Sequence, residues 1–91
     1  MEATYHVEVL TPERVVLEAD VVSLQAHGTE GHFGVLAHHA PFIATLAAGP
    51  LTLRYPDGRL VTLQLSGGLF EVAQNRAIVL ADGVVSGDGS G

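Results

Sequence analysis

The chain has 91 residues, enough for one domain with a single modest hydrophobic core. Its formal net charge is −6, with only four lysine and arginine residues together, and this balance argues against binding to nucleic acid or to an anionic membrane surface. The absence of cysteine excludes disulfides and zinc–thiolate sites, and no apolar run approaches the roughly 20 residues that would insert directly into a membrane.

The first predicted strand begins near the N-terminus. Tyr5, Val7 and Val9 alternate with the residues between them, and this period of two is typical of a strand with one buried face. The Thr-Pro sequence at residues 11–12 ends that strand. Residues 13–27 contain neither glycine nor proline, but they are rich in β-branched side chains, which favours further strands over a long helix.

A glycine-rich segment follows, with Gly28, Gly31 and Gly34 among apolar residues. Glycine at this density indicates backbone conformations that side chains forbid, or close approach to another surface. The spacing is not that of a dinucleotide-binding motif, and no predicted helix follows that could bind phosphate at its N-terminus. We therefore predict a shaped contact loop on a β-framework. Glu30 in this loop is either a recognition residue or an ordinary solvated acid.

The second half of the chain contains signals for two hairpins and a bend. The Pro-Asp-Gly sequence at residues 56–58 and the Gln-Asn sequence at residues 74–75 each separate two short strand-like runs. The Ser-Gly-Gly sequence at residues 66–68 predicts a bulge or a sharp bend. Residues 77–80 are apolar without interruption, which predicts a strand buried on both faces.

Short strands separated by turn signals about every 8–12 residues indicate an all-β fold, an antiparallel sandwich or barrel, with no helix longer than about two turns. The predicted domain covers residues 1–84, and residues 85–91 have the composition of a flexible tail. The residues predicted to be largely buried are Leu53, Val61, Leu63, Phe70, Val72, Ile78 and Leu80.

Five histidines raise the question of a metal site. His38 and His39 are adjacent, so in an extended chain their side chains point to opposite faces of a sheet, and no thiolate is available to complete a site. Ser66 follows a leucine and lacks the glycine that precedes the serine of a nucleophile elbow. We therefore expect no catalytic residue, no cofactor and no metal, with the histidines in structural or interface roles.

Several separate motifs, in the right order from Thr4 to about Asp82, resemble the epsilon subunits of F-type ATP synthases. The Thr-Pro-Glu-Arg sequence at residues 11–14 is similar to the first turn of that family. The segment Gly-x-Glu-Gly-x-Phe-Gly-Val-Leu at residues 28–36 is similar to its glycine loop. The other matching segments are residues 39–41, Gly49, residues 66–68, residues 71–72 and residues 79–82.

The resemblance implies an antiparallel β-sandwich of about ten short strands in two sheets. It also implies a place on the central stalk of the synthase, peripheral to the cytoplasmic face of a bacterial inner membrane. The rotor-ring interface carried onto this sequence consists of Glu30, Gly31, His32 and Phe33. The gamma-subunit interface carried over in the same way consists of Thr11, His39 and Ala44. Family members usually continue into two C-terminal helices, and we expect these 91 residues to lack that helical hairpin.

Two functions therefore compete. The resemblance implies a non-catalytic subunit that links the gamma subunit to the membrane rotor ring and couples proton or sodium flow to ATP synthesis. The alternative is a small histidine-dependent metal-binding enzyme on a β-barrel. Tight retention of a metal through purification would favour the enzyme, whereas co-purification with a gamma subunit would favour the stalk subunit.

Overall fold

The computed structural model describes residues 2–87, and these residues form ten strands without a helix. The strands are β1 (Tyr5–Leu10), β2 (Val15–Val21), β3 (Ser23–Gly28), β4 (Gly31–Leu36), β5 (Phe42–Leu46), β6 (Gly49–Arg54), β7 (Leu60–Leu65), β8 (Gly68–Ala73), β9 (Arg76–Ala81) and β10 (Val84–Gly87). The all-β prediction is confirmed. The predicted boundary at residue 84 falls at the start of β10, and residues 88–91 of the predicted tail lie outside the described residues.

The strands follow one hydrogen-bonded path in the order β10-β7-β6-β3-β5-β8-β9-β1-β2, and β4 pairs with β3 beside that path. A single residue pair, Gly28 with Leu46, joins β3 to β5, so the path divides there into two five-stranded halves. The two halves pack together as a β-sandwich. One pairing departs from the antiparallel prediction, because β1 runs parallel to β9. These two strands lie far apart in the chain, and no hairpin forces them to run in opposite directions.

The alternating pattern predicted the inner face of β1 correctly, and most of the predicted core residues are buried. Tyr5, Val7 and Val9 are buried on β1, and Phe70 and Val72 are buried on β8. The other members of the core are Val21, Leu24, Ala26, Val35, Leu46, Leu51, Leu53, Leu63, Leu65, Ala77, Val79 and Ala81. Each half therefore presents an apolar inner face to the other, and removing that area from water is the main stabilising contribution to the fold.

The prediction that Ile78 and Leu80 are core residues is wrong. Their side chains are 36% and 47% exposed, whereas Ala77, Val79 and Ala81 between and beside them are buried. An uninterrupted apolar run predicts a strand buried on both faces. In the structure β9 is buried on one face only, and its outer face is apolar as well. That outer face is available to a partner.

The turn signals predicted the connections correctly. The Gln-Asn sequence joins β8 to β9 with φ values of 51° at Gln74 and 62° at Asn75, which is the backbone of a tight type I′ hairpin turn. The β6–β7 hairpin closes around Gly58, which has a φ of 89°. Gly67 and Gly68 also have positive φ, and they lie where the chain leaves β7 in one half and enters β8 in the other.

Candidate interaction surfaces

The glycine-rich segment forms the tight hairpin between β3 and β4. Gly28 pairs with Gly31, which leaves Thr29 and Glu30 as a two-residue connection. Gly31 has a φ of 127°, a conformation that favours glycine, and a Cβ on Gly28 would lie 3.0 Å from the Gly31 carbonyl oxygen. The glycines thus permit a close turn at the end of the sandwich. We call residues 29–32 the hairpin tip.

Backbone hydrogen bonds hold the hairpin tip against the end of β5. The Thr29 N–H donates to the Thr45 carbonyl at 2.9 Å, and the Ala47 N–H donates to the His27 carbonyl at 2.9 Å. Gly49 provides space beside this contact, since a Cβ there would lie 3.2 Å from Cγ of His27. The tip is therefore fixed to the frame of the sandwich on the side that faces β5.

The structure divides the four predicted rotor-ring residues into two groups. Glu30, Gly31 and His32 are exposed at the tip, and the His32 ring centroid lies 3.7 Å from that of His27 on the opposite strand. Phe33 instead turns inward and is half-buried against the core. Only Glu30, Gly31 and His32 are directly accessible to a partner at the end of the hairpin.

Phe33 belongs to a cluster that contains all three phenylalanines of the chain. Its ring centroid lies 5.2 Å from that of Phe42 and 5.1 Å from that of Phe70, which is fully buried. These separations are typical of stabilising aromatic pairs. A cleft of about 410 Å³ lies between the tip and β5, and Phe33, Phe42 and Ala44 are among its lining residues. The cluster connects the hairpin to the core.

A second surface covers the outer side of β5, β8 and β9. We define the apolar face as Ile43, Leu69, Ile78 and Leu80, whose side chains are 64%, 39%, 36% and 47% exposed. Strand register brings them together, because Leu69 pairs with Leu80 and Glu71 lies between Ile43 and Ile78. Exposed apolar residues grouped on one side of a sheet mark contact surfaces.

The three predicted gamma-subunit residues differ in their position relative to this face. Thr11 follows Leu10, the β1 partner of Leu80, so it stands at the border of the apolar face. His39 lies in the connection before β5, with Nδ1 2.7 Å from the Ala40 carbonyl oxygen. Ala44 pairs with Phe70 and is half-buried. Its strand neighbours Ile43 and Thr45 are exposed.

Asn75 joins three parts of the chain near His39. Its Oδ1 accepts a hydrogen bond from the His38 N–H at 2.7 Å, and its Nδ2 donates to the Thr4 carbonyl at 3.1 Å. His38 has a φ of 64°, a conformation that costs energy for a residue with a Cβ. The side chain of Asn75 therefore fixes the connection between β4 and β5 as well as forming the β8–β9 turn.

Tyr5 links the two halves of the sandwich. Its buried hydroxyl donates to the Val35 carbonyl on β4 at 2.7 Å. Burial raises the pKa of Tyr5, so the hydroxyl keeps the proton that it donates. The bond satisfies a carbonyl on the strand that leads away from the hairpin tip, and it ties that strand to β1.

We expect Tyr5→Phe to lower the free energy of unfolding by about 1–2 kcal/mol, because it leaves the Val35 carbonyl without its partner in the core. Urea unfolding followed by circular dichroism measures the loss. The matched control is Tyr55→Phe, at a partly exposed tyrosine that packs under the Arg59 guanidinium at 4.3 Å. Equal losses in the two variants would contradict a special role for the Tyr5 hydroxyl.

His6 forms an ionic cluster with β2 on the outer side of the sheet. Its Nδ1 lies 3.0 Å from Oδ1 of Asp20, and its Nε2 lies 2.8 Å from Oε2 of Glu18. These hydrogen bonds, with Asp20 contributing most and Glu18 next, raise the pKa of His6, whereas the nearby Arg76 opposes the shift. Glu8 lies in the same cluster. No local sequence pattern predicts the cluster, because its members come from two strands.

The pH dependence of stability should reflect this cluster. Since the pKa of His6 is higher in the folded chain than its usual value of 6.5, its stabilising contribution is complete below about pH 6.5 and is lost as the pH rises through the folded value. Thermal unfolding in the presence of a chelator, compared between the chain and a His6→Gln variant, measures the effect. A difference between their melting temperatures that stays constant from about pH 6 to pH 9 would contradict it.

The family model for the ATP synthase delta/epsilon chain β-sandwich domain matches residues 4–87. The chain belongs to this family. Among curated relatives, the ATP synthase epsilon chain of Moorella thermoacetica is 42% identical over 80 residues, which cover 88% of this chain and 60% of the relative. The epsilon chain of Nitratidesulfovibrio vulgaris is 42% identical over 82 residues, covering 90% of this chain and 60% of the relative. The resemblance found in the sequence is confirmed, and the chain spans about 60% of the length of these epsilon relatives.

Solved structures agree on the fold of this epsilon-family domain. A chain in the cryo-EM structure of the Euglena gracilis mitochondrial ATP synthase, containing OSCP, F1 and the c-ring, matches with a TM-score of 0.87 at 24% identity, over 93% of this chain and 54% of that one. A chain in the central stalk and c-ring structure of the Tetrahymena thermophila mitochondrial ATP synthase matches with a TM-score of 0.76 at 18% identity. The match covers 93% of this chain and 68% of that one. Residues 2–87 of this family member contain no helix that could span a membrane.

Proposed function

We propose that this chain is a non-catalytic central-stalk subunit of an F-type ATP synthase that links the gamma subunit to the rotor ring and couples ion flow, of protons or sodium, to ATP synthesis. In a bacterial cell it would lie peripherally at the cytoplasmic face of the inner membrane. The observation that carries the proposal is the presence of two exposed surfaces with different chemistry, the hairpin tip and the apolar face, on one packed frame.

The hairpin tip suits contact with the polar loops of a rotor ring. Glu30 and His32 are exposed there, and the glycine backbone of Gly31 allows close approach, since nothing lies within 4 Å of the position that a Cβ would take. Such a contact is polar and solvated, so it contributes more to position and specificity than to affinity. Phe33 supports the tip from inside rather than touching the ring through its full side chain.

The apolar face suits a tighter contact with the gamma subunit. Leu69 pairs with Leu80, Ile78 lies two residues before Leu80 on the same strand, and Ile43 lies across Glu71 from Ile78. Thr11 lies at the border of this face. Glu8 and Glu71, the strand neighbours of Ile78, add negative charge to the patch. A partner with an apolar strip and basic residues beside it would match this surface.

The two surfaces adjoin through β5, which contributes Ile43 to the apolar face and the Thr45 carbonyl to the hairpin tip. A load at either surface therefore reaches the other through one strand and the core beneath it. The family match and the curated epsilon-chain relatives support this role over that of a histidine-dependent metalloenzyme on a β-barrel.

Reconstitution tests the proposal. Synthase membranes depleted of their own epsilon subunit should regain ATP-driven ion pumping, measured with a fluorescent indicator, when this chain is added. The chain should also bind an isolated gamma subunit in a pull-down. A Glu30→Gln variant should bind gamma normally and restore less pumping, because only the ring contact is changed. Failure to bind gamma and failure to restore pumping would together overturn the stalk role.

A further inference from the structure

The outer side of β1 and β2 gathers one imidazole and three carboxylates. Strand register places His6 opposite Asp20 and Glu8 opposite Glu18, so the four side chains share one face of two neighbouring strands. The ligand atoms of His6, Glu8 and Glu18 all lie within 4.8 Å of one another, the only such group of three among residues 2–87. The set contains an imidazole as well as carboxylates, and imidazole is the ligand that separates transition metals from calcium and magnesium.

The charge of the cluster suits a divalent cation. Three carboxylates face one another. The only cationic side chain in register with them is Arg76, which lies on β9 and pairs with His6. If the imidazole is left out, the three carboxylates and Arg76 together have a net charge of −2. Both ring nitrogens of His6 lie against carboxylate oxygens, at 3.0 Å and 2.8 Å. A neutral imidazole can donate only one hydrogen bond, so the second nitrogen needs either an extra proton or a cation.

The two nitrogens of His6 are suited to different roles. Nε2 lies on the side of Glu18, and Glu8 stands beside Glu18 in register, so these three can converge on one ion. Nδ1 lies on the side of Asp20 and can donate its N–H to that carboxylate. A ligating histidine in metalloproteins commonly donates its other N–H to a carboxylate in this way, which fixes its orientation and increases its basicity.

We propose that Nε2 of His6 and the carboxylates of Glu8 and Glu18 bind a divalent transition metal ion, with Zn²⁺ as the best match, while Asp20 orients the imidazole. Atoms that coordinate zinc at about 2.0–2.2 Å lie about 3.3 Å from one another, so small rotations of the half-buried Glu8 and the exposed Glu18 side chains would complete the site. Three protein ligands leave a position for water. Bound metal would tie the edge strand β2 to β1 and stabilise the folded chain.

The sequence analysis predicts no metal site in the chain, and the site proposed here changes that prediction for His6 alone. For His38 and His39, which are adjacent in the sequence, the absence of a metal remains a prediction. The proposed ligands lie on β1 and β2 and include none of the four apolar-face residues and none of the hairpin tip, but Glu8 pairs with Ile78 and so also borders the apolar face.

Calorimetric titration of the 91-residue chain with ZnCl₂ at neutral pH tests the site. We expect one ion per chain and an increase in melting temperature that a chelator reverses. His6→Gln and Glu18→Gln should each weaken binding by about tenfold or more. Asp20→Asn should weaken it less and leave one ion per chain. The matched control is His39→Ala, which removes an imidazole elsewhere and should change neither affinity nor stoichiometry.

Cobalt gives a second readout, because Co²⁺ bound to nitrogen and oxygen ligands has visible absorption that His6→Gln should abolish and His39→Ala should keep. The His6 and Glu18 variants are checked for folding by circular dichroism before titration. Three results would overturn the proposal: no saturable binding at millimolar Zn²⁺, binding unchanged by His6→Gln, or equal displacement by Mg²⁺. The last would show an acidic surface that attracts any divalent counterion.

Discussion

Gly68→Ala should destabilise the domain by roughly 3–5 kcal/mol. A Cβ at this position would penetrate the carbonyl group of Leu80 and lie 3.0 Å from Cα of Ala81, and both belong to the backbone of the paired strand β9. The φ of 148° at Gly68 adds strain for any residue with a side chain. The clash can be relieved only by moving β8 away from β9. That would weaken the pairing beside Phe70, which lies in the middle of the core.

The matched control for Gly68 is Gly58→Ala in the β6–β7 turn. Gly58 also has a positive φ, 89°, but nothing lies within 4 Å of the position of its missing Cβ. We expect a loss of about 1 kcal/mol there, from backbone strain alone. Urea unfolding at one temperature compares the two variants. If both lose the same free energy, the close approach of β8 to β9 does not determine the requirement for glycine.

Leu80→Asp should weaken binding to a gamma subunit by about 30-fold or more, the loss expected when a central anchor of an interface is replaced by a charge. Leu80 has Leu69 and Leu10 as its strand neighbours, so it lies at the centre of the apolar part of the surface. Its side chain is 47% exposed, and the folded chain should tolerate the carboxylate. Surface plasmon resonance with immobilised gamma subunit measures the affinity.

Leu60→Asp is the control for Leu80. Leu60 is 60% exposed and belongs to β7 in the other half of the sandwich, so the same change removes an exposed leucine from a surface that is not assigned to gamma. We expect its affinity to stay within about twofold of the parent chain. Normal gamma binding by a folded Leu80→Asp variant would remove the apolar face from the proposed interface.

Local patterns in the sequence were sufficient for most of the fold. Alternation over Tyr5, Val7 and Val9 identified an inner face because the side-chain period of a strand is two. The turns at Gly58 and at Asn75 followed from residues that tolerate positive φ. These features depend on neighbours within a few positions, which the sequence displays directly.

The apolar face could not be separated from the core by pattern alone. A strand that is apolar on both sides can be buried on both sides or can bind a partner, and Ile78 and Leu80 look the same in the two cases. The distinction depends on which layer covers the strand. That is a property of the assembled sandwich, and β9 is covered on one side only.

The His6 cluster was missed for a different reason. Its members are 12 and 14 positions apart, and they meet only because β1 and β2 pair in one particular register. A shift of one residue would send Glu18 and Asp20 to the opposite face. The stacked pair His27 and His32 has the same origin, since it depends on the register of the β3–β4 hairpin.

The phenylalanine cluster gives the hairpin tip a low mechanical compliance. A push on Gly31 towards the core bears on Phe33, which packs against Phe42 and the fully buried Phe70. A close-packed interior resists compression, so the tip is stiff against loads directed towards the core. If a rotating partner subunit pushes this tip towards the core, elastic energy is stored in the contacts between the domain and its partner subunits rather than within the domain.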